Sequence, residues 1–172
     1  LLIIGLVMKM AVLGITREVE EQVEKTKQAI LVVISDSEES RKVFDAAVQM
    51  AKEAGGKIML AAMIDEDIKP PFEFKNYVLN EKIDADPNYV YKTMFAEQLL
   101  RPFEETLRRE GIEYDKVIEL ENSMKRIAAL ANNICPARIV IGIKELRKAT
   151  KGVFRGQKKY IENLPCPLTI IP

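Results

Sequence analysis

The chain has no histidine and no tryptophan in its 172 residues. Without histidine, the commonest general base, the serine and histidine triad and most zinc sites are excluded. Any chemistry falls to carboxylates, hydroxyls, lysines or backbone amides. Cysteine is scarce as well. Cys135 and Cys166 stand far apart, each beside a proline in apolar sequence, so a disulfide framework is unsupported and the compartment reads as reducing. Both are expected to be buried, inert thiols, because free cysteine behaves as a small hydrophobe.

An excess of one charge is missing too, with 26 basic residues set against 26 acidic ones. What is present suits one compact domain: 48% of residues are hydrophobic, which excludes wholesale disorder. A chain of this length buries roughly 70% of its unfolded surface without disulfide or metal support. The balance hides one local excess. Residues 144–159 hold Lys144, Arg147, Lys148, Lys151, Arg155, Lys158 and Lys159 against Glu145 alone. Proteins that bind duplex nucleic acid spread basic charge along a face or helix. One concentrated loop points instead to a local anion or an acidic partner, so nucleic acid is not expected.

No apolar run reaches the roughly 20 residues that span a bilayer. Leu1 to Ile15 comes nearest, broken only by Lys9 and its glycines, and it lacks the small-residue cleavage site of a signal peptide. Thr16 to Gln28 reads as a charged helix, with Val19 and Val23 four apart and Glu21 ahead of Lys25. Two readings of residues 1–28 stand side by side. They form a membrane exit, which a chain opening on leucine makes compatible with excision from a longer protein, or an extra element packed on the domain or on a second copy.

From residue 29 the pattern becomes regular. Ala29 to Ser35 (AILVVIS) is a continuous β-branched run, the signature of a strand covered on both faces. Asp36 with Glu39 resembles a capping box, and Val43, Ala47, Met50 and Ala54 continue at helical spacing until Gly55 and Gly56. KIMLAAMI over 57–64 is a second buried strand, parallel to the first across a helix. Residues 65–91 carry Pro70, Pro71 and Pro87 with five aromatics, and read as a long connection serving either as a cover and partner surface or as a loop tacked to the core. Phe95, Leu99, Phe103 and Leu107 mark a helix that contains Pro102 and ends at Gly111. YDKVIEL over 114–120 alternates as an edge strand does. Ser123 caps a helix carrying Ile127, Leu130, Ala131 and Ile134, and RIVIGI over 138–143 is a further buried strand. A short helix is predicted near 157–163 and a last strand over Leu168 to Ile171. The alternation predicts an α/β fold with a doubly wound parallel sheet over 29–172.

In such sheets ligands bind outside the carboxyl ends of the strands, where the winding reverses. Two loops stand out there. Ser35-Asp36-Ser37 offers hydroxyls, a carboxylate and a helix N-terminus, which suit a ribose, a phosphate or simple capping. Gly142 to Gly156 combines glycines with lysines, which suit phosphate.

Together with ILVVISDSEES, GGKIMLAAMID, ENSMKRIAALANNICPARIVIG and LPCPLTIIP in this order and spacing, these loops make residues 29–172 resemble the universal stress protein family. The resemblance implies a Rossmann-like sheet of order 3-2-1-4-5, a cytoplasmic location and homodimerisation through Leu168, Thr169, Ile170 and Ile171. In one branch of the family it also implies an adenine nucleotide, ATP or AMP, with Mg only as its companion. Carried over by position, Ser35 takes the place of that branch's aspartate, with Asp36 and Ser37 following, and Met63 flanks the adenine. Gly142 matches the first glycine of the phosphate loop, with Lys144 beyond it. Glu145 stands at the second glycine, an electrostatically adverse carboxylate. Gly156 matches the last glycine if the loop holds one extra residue, with Gln157 in place of a hydroxyl and Lys158 after it. A cyclic dinucleotide fits as well as ATP.

The leading expectation is a non-catalytic, dimeric regulatory domain sensing a nucleotide at these loops. A second is the cytoplasmic tail of an amino-acid or cation transporter, tethered at the inner face of the membrane, with the basic loop facing anionic lipid. A nucleotide hydrolase is the weakest reading, with Asp36 and Asp65 as its only candidate Mg²⁺ carboxylates.

Overall fold

The computed structural model describes residues 29–151 and 159–172. Ile30–Ile34 forms β1, and all five of its residues are buried, as a β-branched run covered on both faces must be. β1 pairs with Ile58–Met63 (β2) on one side and with Arg138–Gly142 (β4) on the other, both parallel. Tyr114–Glu119 (β3) lies outside β2, and Leu168–Ile171 (β5) outside β4. The order is therefore β3-β2-β1-β4-β5. It is the doubly wound arrangement expected from the alternation and the resemblance.

Between the strands lie the helices Glu39–Ala54 (α1), Phe72–Asn80 (α2), Pro87–Glu110 (α3), Met124–Ile134 (α4) and Ile143–Ala149 (α5). Successive strand residues face opposite sides, so two cores form. Val32, Ile34 and Leu60 meet Phe44 of α1 and Leu100, Phe103 and Leu107 of α3. The rings of Phe44 and Phe103 sit 4.9 Å apart, and truncating a buried phenylalanine of this kind costs about 3–5 kcal/mol. Leu31, Val33, Met63 and Ile141 meet Met124, Ile127 and Leu130 of α4 on the other side. Gly55 and Gly111 close α1 and α3 at φ 64 and 68, a conformation in which a Cβ is disfavoured.

The structure departs from the sequence expectations at four places. Residues 65–91 are no open loop: they contain α2 and the start of α3. Asp86 caps α3 by accepting from the Asn88 N–H at 3.1 Å, and Pro87 occupies the first turn, where its missing N–H is no loss. Phe74 and Tyr91 meet edge to face at 5.2 Å and hold α2 against α3, while Phe72, Tyr77 and Tyr89 stay exposed. The basic segment likewise opens as helix α5, since Ile143 to Ala149 contains good helix formers and no glycine or proline. The expected capping box does not form. Glu38 is the α1 N-cap without a side-chain bond, and the Glu39 carboxylate reaches α5 instead. Finally, Cys135 is exposed, because it ends α4 in the left-handed conformation at φ 50, off the buried stripe. Cys166 is half-buried, and that burial pushes its thiol pKa up.

The helix expected near 157–163 is present over residues 159–162. Gly156, Gln157 and Lys158 lie outside the described residues, as do both readings of 1–28. Among the described residues no helix is long and apolar enough to cross a membrane.

Candidate functional site at the carboxyl rim of β1 and β4

β1 delivers Ser35 to the rim, where it is 2% exposed. The following turn is held by its own hydroxyls. The Ser35 N–H donates to Ser40 Oγ at 3.1 Å, and the Ser40 hydroxyl donates back to the Ser35 carbonyl at 2.7 Å. Ser37 Oγ lies 3.3 Å from both Ser35 Oγ and Ser40 Oγ.

β4 delivers Gly142, and the first turn of α5 carries Glu145 into the hollow, 3% exposed. The Ser35 hydroxyl donates to one oxygen of this carboxylate, and the Asn122 amide, from the loop after β3, donates to the other. Asn122 also donates to Asp65 Oδ1 at 2.8 Å, which leaves its own Oδ1 buried without a partner. The second Asp65 oxygen accepts from Lys148 Nζ at 3.2 Å. Burial works to lower the Lys148 pKa, but the Asp65 bond and charge, with Glu145 and Asp67 adding, hold it above its ordinary value.

A second carboxylate enters from α1. Glu39 Oε2 accepts from the Lys144 backbone N–H at 3.0 Å, and Lys144 Nζ stands 3.7 Å from Oε1. A negative charge at a helix N-terminus is stabilising by about 0.3–1 kcal/mol, more where partly buried. Glu39 lies so close to Gly142 that a Cβ there would sit 2.7 Å from Glu39 Oε2 and 3.3 Å from both Glu39 Cβ and Val43 Cγ2. The glycine is required by this approach rather than by a turn, since its φ of −75 suits any residue.

The rim thus gathers Ser35, Ser37, Gly142 and Lys144, and its donors are turned toward the protein's own carboxylates. Two like charges 4 Å apart near a protein surface repel by about 4 kcal/mol. A phosphate therefore does not fit beside Glu39 and Glu145 as they stand. Asp36 is exposed and makes no contact in this network. Met63 is 1% exposed within the α4-side core, so it does not line an opening for adenine. The Asp36 and Asp65 pair does not form an Mg²⁺ site as placed, since Asp65 is engaged by Asn122 and Lys148 while Asp36 stays exposed outside this network. Among the described residues no group of three or more His, Cys, Asp or Glu is placed to hold a metal. Asn122 is the residue the sequence reading missed. Its signal was its place just after β3, on the rim where the strand ends converge. An open cleft of about 370 Å³, lined in part by Lys52, Gly55, Lys57 and Gly111, lies at the opposite end of the sheet.

The two sheet edges differ. β3 is flanked by ion pairs: Lys57 to Asp115 at 3.0 Å, Lys116 to Glu97 at 2.5 Å and to Glu104 at 3.3 Å, and Arg126 to Glu119 at 2.5 Å. β5 carries Leu168, Thr169, Ile170 and Ile171, with Ile170 44% exposed.

Several solved structures share this architecture. A universal stress family protein from Burkholderia pseudomallei is 18% identical with a TM-score of 0.56, the match covering 86% of this chain and 97% of that one. A universal stress protein from Archaeoglobus fulgidus in complex with dAMP is 16% identical, TM-score 0.54, covering 84% and 98%. A universal stress protein in complex with cAMP is also 16% identical, TM-score 0.54, covering 84% and 97%. No curated protein matches the sequence. The profile of the universal stress protein family matches residues 27–172, and the chain belongs to that family.

Proposed function

We propose that this chain is a non-catalytic regulatory domain of the universal stress type, cytoplasmic and homodimeric along β5, whose nucleotide rim is filled by its own Glu145. The observation that carries this reading is the burial of Glu145 between the Ser35 hydroxyl and the Asn122 amide.

The complexes of universal stress proteins with dAMP and cAMP support an adenine nucleotide as the class of ligand. In this chain ATP or AMP, with or without Mg, reaches the same donors only once Glu145 is displaced. Pairing along β5 is supported by the contrast between the edges. Ion pairs blunt β3 against strand addition, whereas the side chains of β5 itself are uncharged, the one charge reaching them among the described residues being Arg138 of β4, which donates to Thr169 Oγ1 at 2.7 Å. The absence of histidine from the whole chain supports regulation over catalysis. The transporter-tail alternative draws on residues 1–15, outside the described residues, and no structural observation favours it.

Light scattering of the purified chain, with a thermal-shift series in millimolar ATP, AMP and a cyclic dinucleotide, tests the reading. A dimer whose melting temperature ignores all three is expected. A monomer, or a wild-type shift with any of them, overturns it.

A further inference from the structure

We propose that the apolar segment Leu1 to Ile15 of the same chain, which lies outside the described residues, docks on the exposed apolar face of α2 and the start of α3. Among the described residues, every exposed large hydrophobic side chain except Ile170 falls there: Phe72, Tyr77, Leu79, Ile83, Tyr89 and Met94. Apolar side chains scattered singly over a surface are ordinary, whereas a group of them on one part of it marks a contact.

The helices show that packing within the domain leaves this face over. Buried Val78 fixes the side of α2 turned to the protein, and Phe72 and Leu79, seven positions apart, share a different stripe. The 24 residues of α3 span about 36 Å, against about 20 Å for the six residues of β2. Gly111 closes α3 shortly before β3 begins at Tyr114, so the excess length lies at the other end, beyond the carboxyl rim. Tyr89 stands seven positions before Ala96 and fourteen before Phe103, and it continues their buried stripe into that overhang.

The chain carries a matching surface. In Leu1 to Ile15 twelve residues are apolar and none is acidic, Lys9 being the one charged side chain. Residues 65–94 hold seven acidic against four basic side chains, an excess that suits Lys9 and disfavours anionic lipid at the same face. The reach is sufficient. β1 begins at Ile30, at the amino end of the sheet, and spans about 17 Å, while residues 16–28 extend to about 43 Å. A tethered segment also meets its site at an effective concentration on the order of millimolar, an advantage no separate partner has. The proposal needs neither Glu145 nor pairing along β5.

The test places the photo-cross-linker benzoylphenylalanine in the full chain at Phe72, at Tyr89 and, as a control on the opposite face of the sheet, at Lys125 of α4. Each protein is irradiated as an equal mixture of unlabelled and heavy-isotope-labelled chain, and the cross-linked peptides are identified by mass. Phe72 and Tyr89 are expected to join residues 1–15 in single-label pairs, with a yield unchanged by dilution and severalfold above that at Lys125. Leu6→Asp with Val7→Asp is expected to abolish these cross-links. Mixed-label pairs would make the occupant a second copy, and flotation of the wild-type chain with phosphatidylcholine vesicles would make the segment's partner a lipid surface; either overturns the proposal. So does the lack of a cross-link to residues 1–15 at both positions, or its persistence in the charged variant.

Discussion

The Glu145 carboxylate accepts a hydrogen bond from the hydroxyl of Ser35, 110 positions away in sequence. This joins the rim ends of β1 and β4 through side chains as well as through the sheet. Glu145 is buried, and no cation among the described residues pairs with it directly, so its charge rests on the Ser35 and Asn122 donors. Removing one donor from a buried charge costs about 1–3 kcal/mol. Ser35→Ala is therefore expected to lower the urea-unfolding free energy by that amount. Glu145→Gln removes the charge and keeps one acceptor, so the double variant should be less damaged than the sum of the single ones.

Displacing Glu145 should make the rim accept a nucleotide. Glu145→Gly and Glu145→Ala both remove the like charge from the place a phosphate would take. A ligand at 100 times its Kd stabilises its site by about 2.7 kcal/mol. Both variants are expected to gain a thermal shift with AMP or ATP that the wild type lacks. Alanine serves as the control, since glycine inside a helix costs about 1 kcal/mol by itself. If neither variant shifts, the rim is not a masked nucleotide site.

Gly142 and Glu39 should be energetically coupled. Gly142→Ala places a methyl group against the Glu39 side chain and Val43, and overpacking of this kind costs about 1–3 kcal/mol. Glu39→Ala alone uncaps α5, at about 1 kcal/mol. In the double variant the clash with the carboxylate is gone, so the combined loss should fall short of additivity by at least about 0.5 kcal/mol. Additive losses would mean that Gly142 tolerates the methyl group without moving Glu39.

Much of this was legible in the sequence. The buried strands, the two glycine-closed helix ends and the cap at Ser123 follow from local patterns, because a β-branched run, a terminal glycine and a serine before an apolar stripe each carry their own cause, whereas the strand order came from the family resemblance. Pro87 was misread because proline breaks a helix interior yet favours its first turn, and the distinction lay in the preceding Asp86. At the rim, Ser35, Gly142 and the adverse Glu145 could be named in advance. The partners of these residues could not. Glu39 meets Lys144 across 105 positions, and Asn122 meets Asp65 across 57, distances over which only the folded topology decides contact.

Lys116, in the ion pairs along β3, gives a stability dependence at alkaline pH. Lys116 is held above its ordinary pKa by its bond to Glu97, against the opposing effect of burial, with Glu104 adding to the rise. A raised folded pKa means that the contribution is complete below the unfolded value, about 10.4, and fades as pH climbs through the folded one. The side chain is 34% exposed, so solvent screening limits the contribution to about 0.5–1 kcal/mol. Urea unfolding at pH 8 and at pH 11.5 should show a smaller loss in Lys116→Met than in the wild type. Lys148 is shifted in the same direction, so part of the loss should remain. Identical slopes in the two proteins would remove Lys116 from the account.

Ile170 offers the most direct test of pairing through β5. Its side chain is 44% exposed in the single chain, so Ile170→Lys should change the stability of the isolated domain by no more than about 0.5 kcal/mol. In a two-fold pair joined edge to edge, each substituted lysine would meet the other copy, and a charge on an edge strand blocks strand addition. The expected result is a monomer by light scattering, with a far-ultraviolet spectrum matching the wild type. Ile170→Val preserves the apolar edge and should stay dimeric. A dimer that survives Ile170→Lys with unchanged dissociation would place the interface elsewhere.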